Sequence, residues 1–246
     1  MISATIITLN EEKNIERLLQ NLEGLVDEII IVDSGSTDKT LELAKKYHAK
    51  IFYREFDNFS NQKNWAASKA NEDWILSVDA DEEIPLELKV EIKEAVKSRE
   101  YNGYLIPRKN LILGKEIKYS RWSPDKHIWL WRKDAGNWVG EVHEEVMVGG
   151  KVGELQNSKI HNSHKNLSEF FESNNFYSTL LSQSMYKKGI KFSIYKMFWN
   201  SFFEFNVRFL YKLGFLDGWR GFVLAYSMSI YQLMVWVKLW DLEKKK

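Results

Sequence analysis

Apolar runs and amphipathic stretches alternate along the first hundred residues, each at its own period. "SATIIT" (Ser3–Thr8) is a β-branched apolar run and predicts a buried strand. "NEEKNIERLLQNL" follows, with Ile15, Leu18, Leu19 and Leu22 at helical spacing and Asn10 placed as its N-cap. "EIIIV" (Glu28–Val32) is apolar on both faces, as parallel strands covered by helices are. "DSGSTDKT" (Asp33–Thr40) reads as a turn and cap leading into a helix that runs to about Tyr47. "KIFYR" predicts a third strand, Ser60–Ala70 a third helix and "DWILSV" (Asp73–Val78) a fourth strand; Pro85 suits the first turn of a helix reaching about Val96. This order predicts a parallel, right-handed α/β sheet. Such sheets bind ligands at the carboxyl ends of their strands, which points to Asn10 and Glu11, Asp33 and Ser34, and Asp79 and Asp81.

The fourth strand ends in "DADEE", four carboxylates in five positions (Asp79–Glu83). Glu82, Glu83 and Glu87 are expected to complement the start of the next helix. Asp79 and Asp81 are separated by one small residue, so in an extended segment they share a face. Two hard oxygen ligands on one side suit Mg²⁺ or Mn²⁺ rather than zinc.

The second half is less regular. "EVHEEVMV" (Glu141–Val148) alternates like a strand, which sets Glu144 with Val142 and Val146, and Glu145 with His143 on the other face. A lone carboxylate on an apolar face is costly unless it has a role. Glu144 is therefore the first candidate for a catalytic base, with Asp125 in "WSPD" second. His161 and His143 are isolated histidines, each expected first in a structural role. Trp122, Trp129, Trp131 and Trp138 could offer flat stacking surfaces but are expected mainly in cores, with Trp122 set apart by its neighbour Asp125.

Composition adds a division of charge. The net charge of the 246 residues is +1, but from Lys187 onward eleven Lys/Arg face four Asp/Glu, giving +7 and leaving −6 on the first 186 residues. Sixteen of the 35 aromatics also lie in that basic tail. Phe222–Val237 is an uncharged run of 16 residues, short of the roughly 20 needed to span a bilayer. With "FSIYKMFWNSFFEFNVRFLYKLGF" before it, the tail reads as amphipathic helices lying on an anionic membrane surface, with Trp219, Phe222, Trp236 and Trp240 entering it. A helical cap on the domain or a dimer interface is the alternative. The absence of cysteine excludes disulfides and thiolate metal sites. The opening "MISATIITLN" lacks a basic n-region and a cleavage site, so the body is expected to be cytosolic and the Asn-x-Ser matches at Asn58 and Asn166 are read as chance.

These pieces together resemble the inverting glycosyltransferases of family 2 with a GT-A fold, in the branch of lipopolysaccharide-core glucosyltransferases. "TLNEEKNI", "DEIIIVDSGSTDKT", "FSNQKNWA", "DWILSVDADE", "GYLIPRKNLILGKEI", "WSPD", "GEVHEEV" and "GFLDGWRGF" carry the resemblance in order and spacing. It implies a mainly parallel central sheet flanked by helices, with a GT-A domain over residues 1–188 (donor half to about 100, acceptor half from 101) and a membrane-associating helical tail over 189–246. It implies that Leu9, Asn10 and Glu11 wrap the nucleoside, Asp33 meets the base, Lys63 approaches the donor diphosphate, Asp79 binds ribose or metal, and Asp81 and His161 bind the metal. Arg108 and Trp122 would meet the acceptor. Ser34 stands where many relatives have a second acid, which leaves base selectivity open. The implied function is metal-dependent transfer of a sugar, glucose at family level, from a UDP-sugar to a lipid-borne or lipopolysaccharide acceptor at the cytoplasmic face of the inner membrane, with no nucleic acid polymer as partner. A sugar-nucleotide pyrophosphorylase should carry a Gly-rich basic loop after the first strand, and "TLNEEKN" has none. A non-catalytic nucleotide-binding membrane adaptor remains the other alternative.

Overall fold

The computed structural model describes residues 1–140 and 144–244 and divides them into two compact units. The first comprises residues 1–108 and 126–161, the second 109–125 and 162–246.

The first unit is built on β1 (Ile2–Thr8), α1 (Ile15–Leu22), β2 (Glu28–Asp33), α2 (Thr40–Lys45), β3 (Lys50–Tyr53), α3 (Phe59–Lys69) and β4 (Trp74–Ser77). β1 lies between β2 and β4, and β3 lies outside β2, all parallel, with Thr5 opposite both Ile30 and Ser77. β1, β2 and β4 are buried along almost their whole length, which is why they read as continuous apolar runs. β3, at the edge, keeps Lys50 and Tyr53 exposed. On α1 the four residues at helical spacing, Ile15, Leu18, Leu19 and Leu22, are fully buried, each stabilising the fold by about 2 kcal/mol. The helix begins later than expected. Asn14 holds the N-cap position, while Asn10 takes a left-handed conformation (φ 57°) and its side-chain oxygen accepts the Thr37 N–H. Asn58 is itself a cap, accepting the Asn61 N–H at 2.8 Å at the start of α3.

Beyond β4 come β5 (Glu82–Glu83), α4 (Leu86–Ala95), β6 (Gly103–Ile112), β7 (Lys115–Glu116), β8 (Lys126–Arg132), β9 (Gly136–Val139), β10 (Glu145–Val148), β11 (Val152–Glu154) and β12 (Lys159–His164). β8 runs antiparallel to β4, and β6 antiparallel to β8, so the sheet turns from parallel to antiparallel at this point. β9 and β10 form a separate hairpin, and β5 pairs with β12, setting Glu82 opposite His161.

The second unit contains α5 (Leu167–Lys187), α6 (Ile194–Asn206), a π-helical turn at Val207–Tyr211, a 3₁₀ turn at Gly214–Asp217 and α7 (Trp219–Lys244). Its core joins Ile112, Ile117, Phe170 and Leu224. α5, expected with the first domain, belongs here because it packs on α7, where the Lys238 ammonium donates to Asn175, Ser178 and Thr179. Asn166 caps α5 by accepting the Glu169 N–H. Asp217 accepts the N–H groups of Lys118 and Tyr119. A Cβ on Gly221 would stand 1.8 Å from the Gly214 carbonyl oxygen, so only glycine permits that approach. α7 is longer than its uncharged run and, among the described residues, is the one helix long and apolar enough to cross a membrane. Its Trp236, expected at a lipid surface, is buried.

Candidate active site

β4 delivers its chain end into a closed turn. The Val78 N–H still donates to Thr5 of β1; then Glu82 N–H donates to the Asp79 carbonyl while Asp79 N–H donates to the Glu82 carboxylate at 3.0 Å. These reciprocal bonds fix the two aspartates at the strand end. Glu82 does not serve the helix start as expected. It is wholly buried, 2.6 Å from the Lys159 ammonium and 3.5 Å from the Arg108 guanidinium. Lys159 in turn lies over the Trp129 ring at 3.3 Å from its centre, and Arg108 lies at 5.3 Å from the same centre. Burial pulls the Lys159 ammonium down to about 8, against the opposing charge of Glu82.

Lys63, on α3, is buried between the two sequence candidates of greatest interest. Its ammonium stands 2.9 Å from Glu144 and 3.4 Å from Asp79, with the Trp138 ring centre 4.5 Å away. Burial opposes its charge, but Asp79 and Glu144 outweigh that and hold its pKa above the ordinary lysine value. Burial likewise opposes ionisation of Asp79, and Lys63, Lys159, Arg108 and His161 together hold its pKa well below the usual carboxylate range. The alternation in "EEVM" holds: Glu144 is half-buried and Val146 buried, while Glu145 and Met147 are exposed. His143 lies outside the described residues.

Asp81 faces His161, with Oδ2 and Nε2 3.1 Å apart. Adjacent ligands of an octahedral ion held at about 2.1 Å are about 3.0 Å apart, so this pair fits two neighbouring positions around a hard divalent cation. Asp79 is turned to Lys63 instead, and among the described residues no three His, Asp or Glu side chains converge on one point. The residues present thus supply two ligands and leave the other positions to a substrate's oxygens and water.

The loop after β1 closes the other side of the strand ends. Asn10 N–H donates to Ser36, and Glu11 N–H to Thr40, which pins Leu9–Glu11 to the loop after β2 and leaves the Leu9 side chain exposed. Glu11 accepts from Asn14, and burial, ahead of the nearby aspartates, raises its pKa. Asp33 is buried and holds its own turn, accepting the Gly35 and Ser36 N–H groups on one oxygen and the Thr8 and Ser36 hydroxyls on the other.

Asp125 and Trp122 belong to the second unit. The Asn110 amide donates to the Asp125 carboxylate at 2.8 Å and to the Trp122 carbonyl at 2.9 Å, and the Trp122 ring packs on Phe170. The structure therefore gathers Asp79, Asp81, Lys63, Glu144, His161 and Arg108 within one unit. It adds Lys159, which no motif singles out, and Glu82, which the sequence assigns to a helix start. Their only signal was a lysine opening a strand, with its partner 77 residues away.

Residues 3–143 match the model of the family described as Glycosyl transferase family 2. An uncharacterized glycosyltransferase of Rickettsia typhi is 31% identical over 99% of this chain and 88% of its own length. The lipopolysaccharide core biosynthesis glycosyltransferase LpsC of Rhizobium meliloti is 28% identical over 98% of this chain and 92% of its own. The crystal structure of S. aureus TarS 1-349 in complex with UDP-GlcNAc, 18% identical, superposes with a TM-score of 0.51 over 94% of this chain and 81% of that one, a likeness of fold.

Proposed function

The chain belongs to glycosyl transferase family 2 and is a glycosyltransferase, and we propose that it is an inverting, divalent-metal-dependent hexosyltransferase. In this reading it moves a sugar, glucose first among candidates, from a UDP-sugar to a lipid-borne saccharide of the lipopolysaccharide inner-core kind, as the name of the Rhizobium relative supports. It works as a peripheral protein on the cytoplasmic face of the inner membrane, where its acceptor is displayed.

The observation that carries the chemistry is the buried ammonium of Lys63 shared by Glu144 and Asp79. A diphosphate brought to the strand ends competes for that ammonium and leaves the Glu144 carboxylate free to accept a proton. The acceptor hydroxyl then attacks the anomeric carbon, its O–H proton passes to Glu144, and the bond from that carbon to the diphosphate oxygen breaks with inversion. Lys63 stays beside the departing diphosphate charge. Asp81 and His161 would hold a Mg²⁺ or Mn²⁺ ion, which supplies Lewis-acid neutralisation of the diphosphate. In this reading Leu9, Asn10, Glu11 and Asp33 would serve the nucleoside and Arg108 the acceptor, while Trp122 and Asp125 remain acceptor candidates by resemblance.

The test is a screen of UDP-sugars for transfer and slow hydrolysis, with and without Mn²⁺, on the parent and on Asp81→Ala. Turnover that needs the cation and is lost in the variant supports the assignment. Unchanged, cation-independent turnover in Asp81→Ala refutes it, and donor binding without any turnover would favour the adaptor.

A further inference from the structure

α6 is amphipathic in the inverse sense. Ile194, Tyr195, Phe198, Trp199, Phe202 and Phe203 recur at i, i+1, i+4, i+5, i+8 and i+9, which is one half of the helix circumference, and all six are exposed. Tyr195 is 85% exposed, and Trp199 and Phe202 are each 64% exposed. The opposite side carries Ser201 and Glu204, and these are the buried ones. Ser201 offers its carbonyl to Ser229 of α7, while Glu204 is paired with Arg121 and Arg208. A helix in a water-soluble cap buries its apolar side; this one has spent its polar side on its neighbours. The turn that follows continues the pattern, with Leu210, Tyr211, Leu213, Phe215 and Leu216 all exposed.

Charge around this surface is sorted by sign. Between Lys187 and Tyr226 the two acids, Glu204 and Asp217, are both buried and bonded inside the unit. The exposed charges over the same stretch are Lys187, Lys188, Lys191, Lys196 and Lys212. An apolar aromatic face ringed only by cations matches a surface that is anionic at its boundary and apolar below it. A second copy of the same face would set like charges against each other.

We propose that α6 and the Leu210–Leu216 turn form the element that enters an anionic bilayer, and that α7 lies beneath them as the structural helix of the unit. This rests on the membrane-surface reading above and specifies the element responsible. It reverses the choice that hydropathy makes. α7 is the helix with the longer apolar run, yet Leu224, Ala225, Tyr231, Val235, Trp236 and Leu239 are turned inward.

The experiment uses the full chain with vesicles of phosphatidylcholine alone or containing phosphatidylglycerol, read by co-sedimentation and by quenching of tryptophan fluorescence with brominated lipid. Trp199→Ser combined with Phe202→Ser should lower partitioning into anionic vesicles on the order of a hundred-fold, with far-UV circular dichroism unchanged because both side chains are exposed. Lys188→Gln, Lys191→Gln and Lys196→Gln together should remove the preference for phosphatidylglycerol. Val237→Ser with Trp240→Ser, exposed on α7, should change binding less than about three-fold. If the α7 pair abolishes binding and the α6 pair does not, the assignment to α6 is wrong while the membrane reading stands. If the parent stays in the supernatant with anionic vesicles, both fall. A dimer in solution that the α6 pair dissociates would give this face to a second copy instead.

Discussion

Lys159→Met tests whether the buried Lys159–Glu82 pair fixes the strand end that carries Asp79 and Asp81. Glu82 is wholly inaccessible, and its carboxylate has three partners: the Lys159 ammonium at 2.6 Å, the Asp79 N–H at 3.0 Å and the Arg108 guanidinium at 3.5 Å. Removing one member of a buried ion pair costs about 3–5 kcal/mol, because the remaining charge is left desolvated. Arg108 and the Asp79 N–H stay in place, which puts the expected loss at the lower end, about 3 kcal/mol. Methionine keeps the length of the apolar stem but gives up the ammonium over the Trp129 ring, so the loss reports the charge with little change in volume. With a urea m-value of about 3 kcal/mol/M, the midpoint followed by tryptophan fluorescence should fall by about 1 M. Adding Glu82→Gln should restore most of this, since glutamine is neutral and its amide oxygen can still accept from Asp79. The double variant should also regain donor turnover that the single variant has lost. A single variant with an unshifted midpoint, or a double variant no more stable than the single, would refute the clamp.

Other outcomes follow from the same geometry. Glu144→Gln should keep donor affinity and lower turnover by about 10² or more, while Glu145→Gln, exposed on the other side of its strand, should change little; equal effects in steady-state kinetics would overturn the base assignment. Lys63→Met should weaken UDP-sugar binding about ten-fold or more by calorimetry, because the diphosphate loses its buried cation. Burial opposes ionisation of Glu28, yet bonds from Lys50, Ser3 and Asn71 bring its pKa from 4.5 down to about 2. A lowered folded-state pKa contributes stability that is complete above about pH 4.5 and is lost as the pH falls towards 2. The amount is on the order of 3 kcal/mol, and acid denaturation of Glu28→Gln should lack that limb.

The parallel strands were legible because helices cover both of their faces, so their whole length must be apolar. β1, β2 and β4 appear in the chain as plain β-branched runs for that reason. α1 was legible from four apolar residues at helical spacing, but its start was not. Asn10 looks like a cap and is one in chemistry, yet it bonds to Thr37 in the neighbouring loop rather than to its own helix. Pairings between distant segments left no local trace. Glu82 sits in a run of acids where a helix-start role is the natural local reading, and only the arrival of β12 turns it into half of a buried pair. Lys63 was readable as a candidate from the resemblance alone; that it stands between Glu144 and Asp79 required the folded chain.

The C-terminal helices show why apolar content does not by itself locate an exposed apolar surface. Hydropathy ranks segments by what they contain, whereas the surface is decided by which side each helix gives to its neighbours. α7 offers Gly221, Ala225 and Ser227 for close approach and folds Leu224, Val235 and Leu239 inward, so much of its apolar content is used within the unit. α6 contains Ser201 and Glu204 on one side, and a buried carboxylate must find cations before it can be tolerated there. Arg121 and Arg208 meet that need, and the consequence is geometric: once Glu204 is fixed inward between two arginines, the six apolar residues on the other half of the helix can only face out. The orientation of the aromatic face is thus set by a single buried acid. Glu204→Leu should therefore let α6 rotate and bury part of its aromatic face, read as a blue shift of tryptophan emission without lipid that is absent when Trp199→Ser is added. An unchanged emission spectrum together with unchanged vesicle binding would show that apolar packing alone sets the orientation of α6.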